Sequence, residues 1–474
     1  MIKEYRLYII FFVLLLAFVS ITGFNGLYGQ DSYEYLRFTN CLFLFYKTGS
    51  PTGDFFWPLL YPIISSLLSF IFKPVFALQL VSILSFIGAG IYADKTIEFI
   101  YCTNTKYKSA FVFLFFLLSP YLLRASLVVM SDMLSLFFVA GAYYYFFKYR
   151  KLFSVNHFIG FVSFAMAAVA TRYAAFAILL IPACAVFTAF IQKFKWKALG
   201  IVIILACIII SPHVLLRIHH PLAFIQHDWI TGWSSINFFK NSFVTADGNA
   251  HYPVCNFIYV FFNLFHPAFC FAGIVLVLFA VKYFKMGRLN NLFIPHISIL
   301  VYALFLAGIP LQNLRFLLLS FPVIAIVLFP GFEDVMEYTT KRINLNSSKK
   351  NVIYVLIVFI QLGLFCRVFM PFYNDNKIEK QVAEEVLKHP NIPIYTFSID
   401  GALRAYGVHN MIVNLYSTKL DSVRGEKLVL FNESQFADEW KGQTVMLNWQ
   451  YIQHHFTLTK LEDLPDGWTL YTAP

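Results

Sequence analysis

Eleven stretches of this chain are long and apolar enough to read as membrane-crossing helices, and that pattern limits the fold more than any motif. They lie near residues 7–23, 75–93, 109–123, 133–147, 155–170, 173–191, 198–214, 257–281, 292–309, 314–333 and 352–370. A helix of about 17–25 such residues spans the hydrocarbon core of a bilayer. The stretches 109–123 and 133–147 are short and need neighbouring turns to complete a span. Composition agrees: 59% of residues are hydrophobic, 19% aromatic and only 13% charged, against about 25% charged in an ordinary soluble domain. A soluble fold cannot hide that much apolar surface. The chain therefore reads as a polytopic α-helical membrane protein with about eleven transmembrane helices, which excludes a cytosolic enzyme, a secreted disulfide scaffold and a disordered chain. The first stretch is not a signal peptide, because no small-residue cleavage site follows it. The seven cysteines form no CxxC pair, and several sit in apolar runs, where they read as small buried hydrophobes.

Charge supplies the orientation. Alternate short loops carry 18 Lys and Arg against 8 in the opposite set, although the poorer set includes two much longer loops. The richer set is expected on the cytoplasmic side. That places the N-terminus inside and, after eleven spans, the C-terminal tail outside. Both long loops, about 24–74 and 215–256, then lie outside. In the first, Tyr35, Phe38, Leu42 and Phe45 recur at helical spacing, which predicts an amphipathic helix lying in the interface. The second holds His219, His220, His227 and His251, whose spacings match no metal motif, so no metal ligands are assigned.

From about residue 376 the character changes. The segment VAEEVLKH reads as a helix with a polar face. IPIYTF, MIVNLY, KLVLFN and TVMLNW read as short strands, with helices at DGALRAYG and ESQFADEW between them. Strands alternating with short helices predict a small C-terminal α/β extracytoplasmic domain over 376–474, following a transmembrane domain over 1–375.

The informative polar residues are charges at the outer ends of spans, where a charge is costly unless paired or solvated. Asp31 follows the first span and Asp132 opens the fourth. Arg37, Arg124, Arg172 and Arg315 are expected at the same level. Bland readings compete: Asp132 as a helix cap, Asp31 as a solvated loop residue, and Arg172 and Arg315 as side chains snorkelling to lipid phosphates. The segments QDSYEYLRF, FFWPLLYP, LRASLVVMSDMLSLFF, TRYAAF and LRFLLLSFP, in this order and sidedness, resemble the GT-C-fold glycosyltransferases. The nearest branch resembles the protein O-mannosyltransferases and lipid A aminoarabinose transferases, and the likeness covers about residues 1–340. It implies a GT-C-like fold that moves a sugar from a polyprenyl-phosphate carrier to a lipid, glycan or protein acceptor on the outer side of a bacterial inner membrane. In that family pattern Asp31 is the general base and Asp132 the second carboxylate, with Glu34, Arg37, Arg124, Arg172 and Arg315 as substrate-binding residues. Relatives often carry an acidic pair just after the first-loop Asp, whereas Ser32 and Tyr33 precede Glu34 here.

The chemistry supports the same assignment independently. A sugar phosphodiester has a good leaving group, so the site needs a base near a hydroxyl and positive charge on the departing phosphate. Arginine suits the second task because its fork binds phosphate oxygens bidentately. No cofactor is required by the sequence, and dependence on a divalent metal stays open. The competing reading is a polytopic lipid or glycan transporter or flippase, which would show charges at mid-membrane and a repeat. The charge bias makes a testable statement about sidedness. Residues 215–256 and 376–474 are expected outside and Lys193–Lys197 inside; cysteine labelling in intact cells checks it, and labelling of the tail only after the membrane is breached would overturn it.

Overall fold

A computed structural model describes residues 2–101, 107–193, 196–216, 227–245, 248–285, 292–342, 347–416, 420 and 426–474. His219 and His220, named above, and Lys195 within the segment Lys193–Lys197 lie outside the described residues. The chain opens with α1 (Ile2–Thr22). The first long connection folds into α2 (Gly29–Thr48) and α3 (Leu60–Leu68), and α4 (Pro74–Tyr101) follows. Then come α5 (Lys108–Phe111), a π-helical turn over Val112–Leu117, α6 (Pro120–Leu127), α7 (Asp132–Leu152), α8 (Val155–Thr171), α9 (Ala175–Gln192) and α10 (Trp196–Leu216). The second long connection holds α11 (Asp228–Thr231), a 3-10 turn over Ser235–Phe239, and an antiparallel hairpin of β1 (Ser242–Thr245) and β2 (Gly248–His251). Next are α12 (Asn256–Tyr259), α13 (Phe262–Phe265), α14 (Pro267–Cys270), α15 (Gly273–Lys285) and α16 (Phe293–Ala307). A 3-10 turn over Phe316–Ser320 precedes α17 (Phe321–Arg342) and the forty-residue α18 (Ser347–Val386).

Six helical segments among the described residues are long and apolar enough to cross a membrane: Tyr5–Thr22, Pro74–Tyr101, Ala175–Gln192, Trp196–Leu216, Phe316–Arg342 and Asn351–Val386. Several of them turn large apolar side chains outward, among them Val13, Leu14, Ile203, Ile204 and Phe359, each more than half exposed. Such surfaces belong in lipid, and the chain is an integral membrane protein. The eleven apolar stretches do not all appear as single long apolar helices. The stretch 109–123 bends by 62° between Lys108–Leu117 and Pro120–Leu127, and makes a seventh span only if the bent pair counts as one. Pro120 lacks an N–H and holds Ser119 out of the helical region, at φ −59° and ψ 118°, which breaks the helix. The stretch 257–281 is four helical pieces, α12 to α15. The helices α8 and α16 have 17 and 15 residues, at and below the lower end of the spanning range.

Broken backbone inside an apolar body needs polar side chains to replace the lost helix bonds, and these are present. Asn256 donates to the carbonyls of Ala307 (3.0 Å) and Ile309 (2.7 Å), and Asn263 donates to Ser320 Oγ (2.7 Å). Gln79, buried in α4, donates to Phe24 O (3.2 Å) and Leu127 O (2.8 Å). Those two bonds tie the entry to α2 against the exit of α6. Beside them the Val129 amide donates to Gly26 O at 2.8 Å. Gly26 has φ +81°, and a Cβ there would meet Leu127 O at 2.8 Å, so glycine is required for this approach. The helix predicted through Tyr35, Phe38, Leu42 and Phe45 is present as α2, but its stripe faces protein rather than lipid. Tyr35, Phe38 and Leu42 are fully buried, Phe38 stacks on Phe55 at 4.2 Å, and only Phe45 is exposed.

The tail forms a five-stranded sheet of order β4-β3-β5-β7-β6, from β3 (Ile394–Thr396), β4 (Ile412–Asn414), β5 (Lys427–Phe431), β6 (Thr459–Asp463) and β7 (Thr469–Ala473). The strands β4, β3 and β5 are parallel, and β7 and β6 add antiparallel. Three helices accompany it: α19 (Asp400–Ala405), α20 (Glu433–Glu439) and α21 (Thr444–His455). The segment TVMLNW, read as a strand, is the start of α21. Its buried residues Val445, Met446, Asn448, Trp449 and Ile452 follow helical spacing once the next turn is included. Trp449 packs on Phe431 of the central strand, with ring centroids 4.4 Å apart. Replacing Gln79 with leucine keeps its volume but strands the carbonyls of Phe24 and Leu127. Gln79→Leu is expected to destabilise the fold by about 1–3 kcal/mol, read as a lowered midpoint of thermal unfolding in detergent.

Candidate active site

Four charged side chains, distant in sequence, meet at the end of the helix body nearest the sheet. Asp132 is the first residue of α7, and its side chain is only 2% exposed. The cap position of α7 is Ser131, whose side chain makes no cap bond, and Asp132 follows it. The Asp132 Oδ1 accepts from Arg172 Nη1, and its Oδ2 accepts from Arg315 Nε at 3.2 Å. Arg315 also donates through Nη1 to Asp31 Oδ2 at 2.8 Å. One guanidinium thus bridges both carboxylates, and a second holds the buried one from the other side. Removing a carboxylate from water costs several kcal/mol, and the two cations offset that only because both oxygens are satisfied. The helix-cap reading of Asp132 and the snorkelling readings of Arg172 and Arg315 give way to this cluster.

Each member is delivered by a local break in regular structure. Arg172 ends α8 with an extended backbone, φ −157° and ψ 116°. Arg315 precedes the 3-10 turn, so it does not lie inside a tenth helix as the apolar run had implied. Its amide is held by Asn313 Oδ1 at 3.0 Å, and the Asn313 amide donates to the buried Tyr259 hydroxyl at 2.8 Å. Asp31 sits in the first turn of α2, where an acid also complements the helix dipole. The Gln79 bridge and the Gly26–Val129 bond bring that turn beside the start of α7. Tyr35, one turn further along α2, donates to Ser131 at 2.8 Å and closes the same junction.

The two carboxylates differ in what they leave free. Both oxygens of Asp132 are occupied and the side chain is sealed. The Asp31 side chain is 30% exposed and gives one oxygen to Arg315, and its other oxygen has no partner among the described residues. Arg315 and Arg172 likewise keep uncommitted N–H groups, directed from a fixed frame. Arg172 lies over the Phe316 ring at 5.2 Å. Arg124 stands near the cluster without a carboxylate partner among the described residues, packed over the rings of Phe372 (4.2 Å) and Tyr121 (4.8 Å). Glu34 and Arg37 are not brought in. They pair with each other along α2 at 2.8 Å, and Arg37 also donates to Asp54 O. Among the described residues, no group of three or more His, Cys, Asp or Glu has metal-binding geometry. Asn313, Ser131 and Tyr259 were not singled out in the sequence; only the Asn–Leu–Arg spacing at 313–315 carries a local capping signal.

This arrangement can hold an anion on two arginines and accept a proton on one carboxylate oxygen, within one layer at the end of the spans. Solved structures share the architecture. ArnT from Cupriavidus metallidurans bound to undecaprenyl phosphate aligns over 97% of both chains, with a TM-score of 0.57 and 11% identity. At this identity the likeness is one of fold. The same ArnT in its apo state gives a TM-score of 0.59 at 12% identity, again over 97% of both chains. The Archaeoglobus fulgidus oligosaccharyltransferase tethered with an acceptor peptide gives 0.51 at 12% identity, over 97% of this chain and 69% of that one. No protein-family model matches the chain. Comparison with curated protein sequences gives no match either.

Proposed function

We propose that this protein is a membrane glycosyltransferase that moves a sugar from a polyprenyl-phosphate carrier to a hydroxyl-bearing lipid, glycan or protein acceptor. The observation that carries this reading is the bridged cluster itself: a half-free carboxylate held beside two guanidinium forks whose other acid is sealed. The GT-C fold supports it, as does the undecaprenyl phosphate carried by the structurally similar ArnT. Residues 1–375 form the transferase body and 376–474 an outer module. The protein lies in the bacterial inner membrane, with its N-terminus cytoplasmic and the cluster and the sheet on the outer side.

In this mechanism the acceptor oxygen attacks the anomeric carbon as the bond from that carbon to the phosphate oxygen breaks. The acceptor proton passes to the free oxygen of Asp31. The electron pair leaves on the carrier phosphate, where Arg315 and Arg172 meet the growing charge with their uncommitted N–H groups. A single displacement inverts the anomeric configuration. Asp132 makes no contact with the reacting atoms; it aims the two arginines. Arg124 adds a third cation toward the phosphate.

Two substitutions separate these roles in a direct assay with purified protein and polyprenyl-phosphate-sugar. Asp31→Asn is expected to abolish transfer with normal assembly, because an amide cannot take the proton, while Asp132→Asn retains measurable transfer. Most activity surviving in Asp31→Asn would remove it as the base. Arg315 uses two different nitrogens to reach two carboxylates, and lysine has only one. Arg315→Lys is therefore expected to lower kcat and weaken donor use together. Unchanged kinetics in that variant would take Arg315 out of the phosphate site.

A further inference from the structure

The sheet module touches the first turn of α2, the turn that carries Asp31, through a dense set of polar bonds. Gln30, the residue before Asp31, donates through Nε2 to Asp400 Oδ1 at 2.9 Å. Asp400 opens α19, and the same oxygen accepts from Asn414 of the edge strand β4 at 3.3 Å. Tyr33, two residues beyond Asp31 and 4% exposed, donates its hydroxyl to Glu379 on the far end of α18. The Tyr406 hydroxyl, just past α19, accepts from Asn25 (3.2 Å) and Asn376 (3.1 Å). Asn376 also donates to Asn25 Oδ1 and to Leu27 O, both at 2.9 Å. These bonds grip the chain on both sides of Asp31, from residue 25 to residue 33.

Packing is as tight as the bonding. A Cβ added at Gly401 would fall 2.8 Å from Tyr33 Cβ and 3.1 Å from Gln30 Oε1. Tyr33 Cβ is the root of its side chain and cannot swing away, so anything larger than glycine at 401 pushes on the turn itself. Asp31 is the most exposed of the four clustered side chains. Its only polar tie among the described residues is Arg315. Its position therefore depends on the backbone that carries it.

We propose that the C-terminal sheet module is a positioning element for the catalytic base. Through Asp400, Gly401 and Tyr406, with Asn376 and Glu379 at the end of α18, it holds the first turn of α2 so that Asp31 stands at working distance from Arg315 and the acceptor. This rests on the transferase reading for its kinetic consequence but not for the clamp itself. It also gives the module a role other than acceptor capture. A module that only captured the acceptor would alter the acceptor KM and leave α2 untouched.

The test uses the full-length protein in lipid nanodiscs, with Gly401→Ala and, should that variant not assemble, Asp400→Ala on the module surface. Hydrogen exchange of the amides at 30–35 is expected to quicken about tenfold in either variant while the amides of α4 and α7 keep their protection. In the same samples kcat is expected to fall by about tenfold to about a hundredfold, the larger loss being what misplacement of a reacting group by about an ångström can cost, with the donor KM within twofold. Unchanged exchange at 30–35 overturns the clamp, whatever happens to kcat. Faster exchange with an unaltered kcat overturns the positioning role. If the unmodified protein transfers no sugar from any polyprenyl-phosphate donor, the transferase reading falls, and the clamp then stands or falls on the exchange rates alone.

Discussion

Asp132 is a buried carboxylate at the end of an apolar helix body, and the surrounding architecture answers the problem it creates. A charge in that position needs its counter-charges at contact distance. The structure brings them from the corner after α8 and from the 3-10 turn before α17, so α7, α8 and α17 meet at one level. Arg315 then extends the network outward to Asp31. A sealed acid, two aimed cations and one part-open acid follow from satisfying a single desolvated group. The same electrostatic frame that stabilises the fold there is the frame the proposed chemistry uses.

Bringing those corners together requires interrupted helices in a region where unsatisfied backbone is costly. The interruptions are each answered by a particular side chain. Gln79 serves the carbonyls of Phe24 and Leu127, Asn256 serves those of Ala307 and Ile309 at the end of α16, and Ser119 donates to Phe269 O beside the Pro120 bend. Gln79 and Ser119 lie within stretches that read as apolar and Asn256 just ahead of one, and they let the end of the body nearest the sheet depart from straight helices. The long regular helices α4 and α18 supply the rigid supports against which those departures are held.

Above this body, the sheet module is joined to the rest at two places. On one side it meets the first turn of α2. On the other it meets the β1–β2 hairpin, where Asn249 donates to Lys441 O and Gln443 donates to Thr245 O. The second long connection also reaches the cluster, since Trp229 packs edge-on against Phe316, with centroids 5.4 Å apart, and Phe316 underlies Arg172. His227 on the same connection contacts Phe56 of the first one at 5.0 Å. The two long connections and the module thus enclose the layer that holds the charges.

Local patterns were enough for the membrane class, the helical stripe of α2, three strands of the sheet, and the candidacy of Asp31, Asp132, Arg172 and Arg315. Hydrophobic run length and period are properties of neighbouring residues, and a rare charge at the end of an apolar run is visible by contrast. Where a run is short, period alone cannot separate strand from helix, so TVMLNW was misread. The edge strand β6 is exposed throughout and has no apolar signal to read. Run length also cannot show that 109–123 and 257–281 are broken, because the breaks are stabilised by partners on other elements. Which charges pair was decided by tertiary structure alone. Glu34 and Arg37 stood beside Arg315 among the substrate-binding candidates, yet they satisfy each other one turn apart on α2, while Arg315 reaches acids 183 and 284 residues away. An ion pair depends on distance in space, and only the folded chain sets that distance.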